Sequence, residues 1–376
     1  MNRRAKGIDN SLLLLAVMML AAGIVALYSS SAILADKECG DPLFYVKRQV
    51  LFGGLGLAGM MVLSRIPYQR LREWVWPALF ATGVVLVAVL FGPKIGGARR
   101  WIKVGGFGLQ PAEFAKLTVV LFLADYLDRK RSRLDNPFQG VAIPWAVVGT
   151  LLVLIGLEPD LGTPSLIFAV TVLTLFVGGA RLDALAWTLA ASVPVVVWQL
   201  WAYPYRRARV MSFLDPFADS SGTGYQLSQS LLAVGSGGWM GKGLGQSDVK
   251  LLYLPAPHTD FIFPVLCEEL GLLGGAGVLV LFVMFLQRGL AVARRAPDLY
   301  GTLLASGITF LITLQGFFNM AMSMGLIPTK GLPLPFFSYG GSSLLVTTAA
   351  VGILLSISRH GASPARSSPN PGPLRR

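Results

Sequence analysis

The chain has 376 residues, 54% hydrophobic and 14% charged, against about 25% charged in soluble domains. With a mean hydropathy of +0.62, this composition excludes an ordinary soluble protein and sets the class as an all-α polytopic membrane protein. The net charge of +13 points away from nucleic acid and toward anionic headgroups or phosphate-bearing substrates, because the basic residues sit in short segments between apolar runs. Two cysteines, Cys39 and Cys267, and two distant histidines, His258 and His360, suggest neither a disulfide framework nor a thiolate or histidine-rich metal site.

The basic start MNRRAKGID leads into Ser11–Leu34, a run too long for a signal-peptide core of about 7–15 residues. A retained first helix with residues 1–10 in the cytoplasm is expected. Run length predicts about ten spans, over 11–34, 50–66, 74–92, 110–127, 141–157, 161–178, 182–202, 261–287, 300–325 and 336–358. Only Glu158-Pro159-Asp160 separates the fifth from the sixth. A large extracytoplasmic loop, 203–260, lies between the seventh and eighth. The tail 359–376, rich in Pro, Ser and Arg, reads as a disordered cytoplasmic extension. No internal repeat marks an inverted-repeat transporter.

Most loop arginines, among them Arg65, Arg70, Arg72, Arg129, Arg131, Arg294 and Arg295, fall on one side of this scheme, which the positive-inside rule makes cytoplasmic. Lys94, Arg99, Arg100, Lys103, Arg206, Arg207, Arg209, Lys242, Lys250 and Lys330 fall on the other side and need a different reason for their charge.

Four stretches could supply chemistry. In GGARRWIKVGGFGLQPAEFAK, Gln110-Pro111 opens a helix on which Glu113 and Lys116 share a face at i, i+3. Its cations suit either lipid phosphate at an interfacial belt or a pyrophosphate clamp, since arginine offers paired donors to phosphate oxygens. EPDLGT reads first as structure: Pro159 breaks a helix, Asp160 caps the next and Gly162 permits close packing. PTKGLPLPFFSYGGSS brackets Lys330 with prolines and glycines, and Ser338, Tyr339, Ser342 and Ser343 add hydroxyls. Such a broken segment is expected to be buried in protein or to line a wet cavity. In YLPAPHTDFIFPVLCEEL, Glu268 and Glu269 cannot both face lipid, where each would cost roughly 2.5–3.5 kcal/mol. Asp260 sits where the apolar run begins and is open to both a capping and a catalytic role. Phosphate-loop, serine-hydrolase, zincin and EF-hand signatures are absent.

GGARRWI, QPAEFAK, PDLGT, GYQLSQSLLAVGSGGWMGKGLGQS, HTDFIF, EELGLLGG and GLPLPFFSYGGSSL occur here in an order similar to the SEDS family (shape, elongation, division and sporulation proteins of the FtsW/RodA/SpoVE type). The resemblance covers residues 8–358, and PTKGL with the KLLYLP spacing resembles the division branch more than the elongation branch. It implies a ten-helix peptidoglycan glycosyltransferase that polymerises lipid II at the outer face of the cytoplasmic membrane, at the division septum. Undecaprenyl-linked glycan is the other substrate it implies, and a class B penicillin-binding protein and further divisome proteins are the partners. Matched position by position, the family's key acid falls on Asp260. Its conserved basic and polar positions fall on Arg99, Glu113, Lys116 and Lys330, with His258, Ser342 and Ser343 as further candidate substrate contacts. The cofactor stays open, with a divalent cation such as Mg or Mn able to share the clamp's work. The sequence departs from the family pattern at Ala256, where relatives commonly carry glutamate, at Ala112 for serine and at Glu158 for glutamine. A lipid II flippase and a non-catalytic scaffold of the division machinery remain the alternatives.

Overall fold

The computed structural model describes residues 7–94, 98–104, 107–158, 160–218, 222, 224–248 and 258–361. The readings placed on Pro159, on Lys250 and the KLLYLP segment, on Ala256 and on the tail beyond Gly361 lie outside the described residues. In chain order the helices are α1 (Asn10–Cys39), α2 (Phe44–Arg65), α3 (Leu71–Leu90), α4 (Pro111–Arg129), α5 (Ile143–Gly156), α6 (Gly162–Val177), α7 (Leu182–Ala202), α8 (Pro204–Leu214), α9 (Tyr225–Ser236), α10 (Ile262–Arg294), α11 (Leu299–Ser323) and α12 (Gly341–His360). A short antiparallel hairpin, β1 (Ile102–Val104) and β2 (Phe107–Leu109), precedes α4, with Lys103 opposite Gly108.

Each of the ten expected spans is a helix. Eight are long and apolar enough to cross a membrane, α5 counted with the π-helical turn Phe138–Ala142 before it. The other two are α4, whose length carries Glu113, Lys116 and Asp125, and α6, whose 16 residues rise about 24 Å. The large loop contributes two helices of its own, α8 and α9.

Local chemistry sets the ends. Asp9 caps α1 by accepting from the Leu12 N–H at 3.1 Å, and Asp298 caps α11 through the Gly301 N–H at 2.6 Å. Pro111 opens α4 at a position where its missing N–H costs nothing. In the bundle, α2 runs along α12, α10 along α11 and α3 along α4, while α11 also touches α4 and α6. The two most enclosed helices are α11 and α12. Small residues let backbones approach: a Cβ at Gly56 of α2 would stand 2.6 Å from the Thr348 hydroxyl of α12.

Helix α10 is broken at Gly271, whose backbone (φ 67°, ψ −166°) leaves the helical region. The loop segment 237–243 fills the gap. The Lys242 N–H donates to the Glu268 carbonyl and the Gly243 N–H to the Glu269 carbonyl, both at 3.0 Å, and the Leu272 N–H donates to the Gly238 carbonyl at 2.9 Å. Backbone groups freed inside the bundle thus find partners in protein, as a low-dielectric setting requires. The same junction accounts for the paired glutamates, both about 1% exposed. Glu268 accepts from Lys242 Nζ at 2.7 Å and from the Ser247 hydroxyl. Glu269 accepts from the Ser29 hydroxyl of α1 at 2.6 Å. Glu268 therefore ties the long loop to α10, and Glu269 ties α10 to α1.

Candidate active site

Asp260 lies two residues before α10, in a turn gripped by its backbone. Three successive carbonyls each accept one hydrogen bond. The Tyr339 N–H donates to His258 O at 2.9 Å, the Ser338 hydroxyl to Thr259 O, and Asn319 Nδ2 to Asp260 O at 2.8 Å. The grip comes from α11 and from the segment 324–340 between α11 and α12. That segment is non-helical, yet Leu332, Leu334, Phe336 and Phe337 in it are buried. A second bond from Asn319 Nδ2, 2.7 Å to Leu332 O, locks the two strands of chain to each other.

The Asp260 carboxylate itself takes no hydrogen bond among the described residues. It does not cap α10, whose N-cap is Phe261 with no side-chain bond. It is half-buried and lies so close to Gly331 that a Cβ there would stand 3.1 Å from Oδ2. Burial pushes its pKa up to about 6. Arg100 and Arg209 pull it down, whereas Asp160 and Glu113 push it further up. Those causes also define the surrounding charges. Arg209 of α8 is fixed by donating from Nη1 to the Thr329 carbonyl at 3.3 Å. Lys330 Nζ donates to the Ser165 hydroxyl of α6 at 2.9 Å, and burial lowers its pKa while Asp160 raises it. Arg206 donates to the Gly156 carbonyl at 3.1 Å and stacks on Tyr203. Several of the basic residues that break the positive-inside pattern thus converge on one end of the bundle, around Asp260.

Asp160 does cap α6, accepting from the Thr163 N–H at 3.1 Å and its hydroxyl at 2.8 Å. Gly162 serves a close approach, but to the 324–340 segment: a Cβ there would meet Leu332 Cγ at 2.7 Å. Glu113 and Lys116 form a buried ion pair at 2.7 Å. Lys116 also donates to Gln315 Oε1 at 2.7 Å, and Gln315 Nε2 donates to the Pro333 carbonyl at 2.8 Å. The pair is therefore anchored to α11 and, through it, to the segment that faces Asp260.

The remaining candidates are less directly placed. Arg99 is exposed and donates to the Leu90 carbonyl at 3.1 Å, at the C-terminal end of α3. Its neighbour Arg100, not Arg99, faces Asp260. The chain bends at Arg99, just before β1, and the two side chains leave the bend toward different neighbours. His258 is buried and stacks on Tyr45 with ring centroids 4.4 Å apart. Burial drives its pKa down to about 4, and its buried Nδ1 has no hydrogen-bond partner among the described residues. Ser342 bridges the hairpin to α12, accepting from the Gln110 N–H and donating to the Gly108 carbonyl, both at 3.1 Å. Ser343 is nearly buried in the first turn of α12. Sequence reading missed Asn319 and Gln315. Their signal was available, since an amide inside an apolar span stays there only if it is bonded.

Among the described residues, no group of three or more His, Cys, Asp or Glu side chains is arranged to hold a metal ion.

Known proteins share this fold. The family whose description is "cell cycle protein" of the FtsW, RodA and SpoVE type matches residues 10–363. A probable peptidoglycan glycosyltransferase FtsW of Trichlorobacter lovleyi is 43% identical over 356 residues, 93% of each chain. The stage V sporulation protein E of Bacillus subtilis is 40% identical over 94% of this chain and 97% of its own. Among solved structures, a chain from a peptidoglycan synthase complex that coordinates polymerisation and crosslinking is 31% identical. It superposes with a TM-score of 0.78 over 94% of this chain and 98% of that one. The rod-shape-determining protein RodA of Thermus thermophilus is 30% identical, with a TM-score of 0.69 over 95% and 98%. With a family match along almost its whole length, relatives at 40% identity or more and two solved structures of the same fold, the chain belongs to the FtsW/RodA/SpoVE family.

Proposed function

We propose that this peptidoglycan glycosyltransferase polymerises lipid II by a single inverting displacement, with Asp260 as the general base. The donor sugar leaves an α-linked pyrophosphate and becomes β-linked, so one displacement suffices. That reaction needs a base for the attacking hydroxyl and positive charge for the departing pyrophosphate. It needs no second carboxylate nucleophile of the kind retaining glycosidases use. The observation that supports this reading is the Asp260 carboxylate, without a hydrogen bond among the described residues, on a clamped backbone bordered by Arg100 and Arg209 with Lys330 close by. A group with a pKa near 6 is ionised at neutral pH and basic enough to accept a proton as the hydroxyl attacks.

The proposal places Arg100, Arg209 and Lys330 on the leaving pyrophosphate. Lys116 and Glu113 hold the wall behind them. Under the positive-inside rule this end of the bundle faces outward, with both termini in the cytoplasm, in the cytoplasmic membrane at the division septum. A class B penicillin-binding protein is the partner that would cross-link the strands, alongside other division proteins.

The test is Asp260→Asn in purified full-length protein with its transpeptidase partner. Polymer formation from lipid II should fall by about 10²–10⁴-fold, the usual worth of general-base help, with unchanged thermal unfolding. Full polymer yield from the variant refutes the base. Lipid II translocation without polymerisation in the unaltered protein would establish the flippase, and neither activity would leave a scaffold.

A further inference from the structure

Glu158 is a buried titratable group that the displacement above does not use. It sits in the bridge between α5 and α6, 0% exposed, and both carboxylate oxygens lack a hydrogen-bond partner among the described residues. The bridge is fixed: the Glu158 N–H donates to Ile155 O at 3.0 Å, and Arg206 holds the Gly156 carbonyl. An orphaned buried carboxyl is costly and calls for an explanation.

The charged groups that face it are Asp160 and Arg100. The same two face Asp260, Lys330 faces Asp160, and Arg206 borders the bridge. The buried Nε of Arg100 likewise has no hydrogen-bond partner among the described residues. One guanidinium is therefore shared by two carboxyl groups, neither of which bonds to it directly.

We propose that Glu158 is a positioning residue that acts through Arg100. As a neutral acid it leaves the guanidinium to Asp260 and the departing pyrophosphate, and as a carboxylate it draws the guanidinium to itself and disarms the site. This rests on the reading of Asp260 and Arg100 given above. The direction of titration agrees: burial first, and Asp160 second, push the Glu158 pKa up to about 8, with Arg100 opposing. The raised value means a neutral carboxyl through neutral pH and ionisation as pH rises past about 8, which makes the switch an alkaline one.

The experiment follows each protein's own rate ratio, pH 9.5 against pH 7.5, for lipid II polymerisation by the full chain with its partner. The unaltered enzyme should lose about tenfold or more, since a carboxylate beside the anion-binding cation weakens its hold at short range. Glu158→Gln, which cannot ionise, should lose less than about twofold by the same reasoning. An equal loss in Glu158→Gln overturns the proposal, as does a loss that disappears only in Lys330→Arg. Undecaprenyl pyrophosphate binding, measured at both pH values, separates this inference from the base assignment. If Asp260→Asn polymerises normally, the base is refuted. Glu158 is then judged by binding alone: weakening with pH in the unaltered protein but not in Glu158→Gln supports it, and equal weakening in both overturns it. A drop in thermal stability without change in either ratio marks Glu158 as merely structural and also overturns it.

Discussion

Replacing Lys116 by methionine keeps the volume of the side chain and removes its charge. Lys116 and Glu113 are only 2% and 3% exposed and 2.7 Å apart, and Lys116 also satisfies Gln315 at 2.7 Å. A solvent-exposed pair such as Arg181 and Asp183, roughly half exposed, contributes little at its surface position. Breaking a buried pair leaves an uncompensated charge and costs about 3–5 kcal/mol. Lys116→Met should therefore be destabilised by about that amount, read by denaturant or thermal unfolding of the purified protein in micelles. Glu113→Gln/Lys116→Met should recover most of the loss, because no charge is then left buried. The polymerisation rate should fall along with stability in the single variant. Gln315 holds the Pro333 carbonyl at 2.8 Å, and the segment it steadies is the one that faces Asp260. The reasoning is refuted if Lys116→Met stays within about 1 kcal/mol of the unaltered protein, the range of an exposed pair, or if the double variant is no more stable than the single.

Two further outcomes are expected. Because burial raises the Asp260 pKa to about 6 and the base must be ionised, the polymerisation rate should fall about tenfold per pH unit below that value. A rate–pH profile flat down to pH 5 contradicts the assignment, and Arg100→Ala, which removes the charge that lowers this pKa, should move the limb to higher pH. Gly331→Ala should slow turnover several-fold with little change in unfolding, since its Cβ would press to 3.1 Å of Asp260 Oδ2 and small misplacements of a reacting group are costly. Unchanged turnover would show that the carboxylate is not held where the structure puts it.

The helical class was legible because its signal is local. Long apolar runs cannot satisfy their backbone in lipid except as helices, so the ten runs became ten helices with ends shifted by up to seven residues. The break in α10 was not legible. Gly271 belongs to a helical pattern, and only the approach of the 237–243 segment supplies the bonds that make the break tolerable. Glu268 and Glu269 were rightly kept away from lipid by their desolvation cost, but which partner each would take depended on how the loop and α1 pack.

Within the site, adjacency in sequence misled. Arg99 and Arg100 are indistinguishable by composition, and the turn of the chain sends one to the end of α3 and the other toward Asp260. His258, a candidate substrate contact by sequence, is buried and stacks on Tyr45. Asn319, never singled out, grips the key carbonyl.

The sequence by itself determined the class, the helices and the motif order, because hydropathy and the spacing of polar residues act within one stretch of chain. Only the tertiary structure decided which cation faces Asp260, what holds its turn and why Glu158 is left without a partner. Those depend on α4, α6, α8, α11 and the 324–340 segment meeting at one end of the bundle, and contacts between residues far apart in the chain leave no periodic trace in sequence.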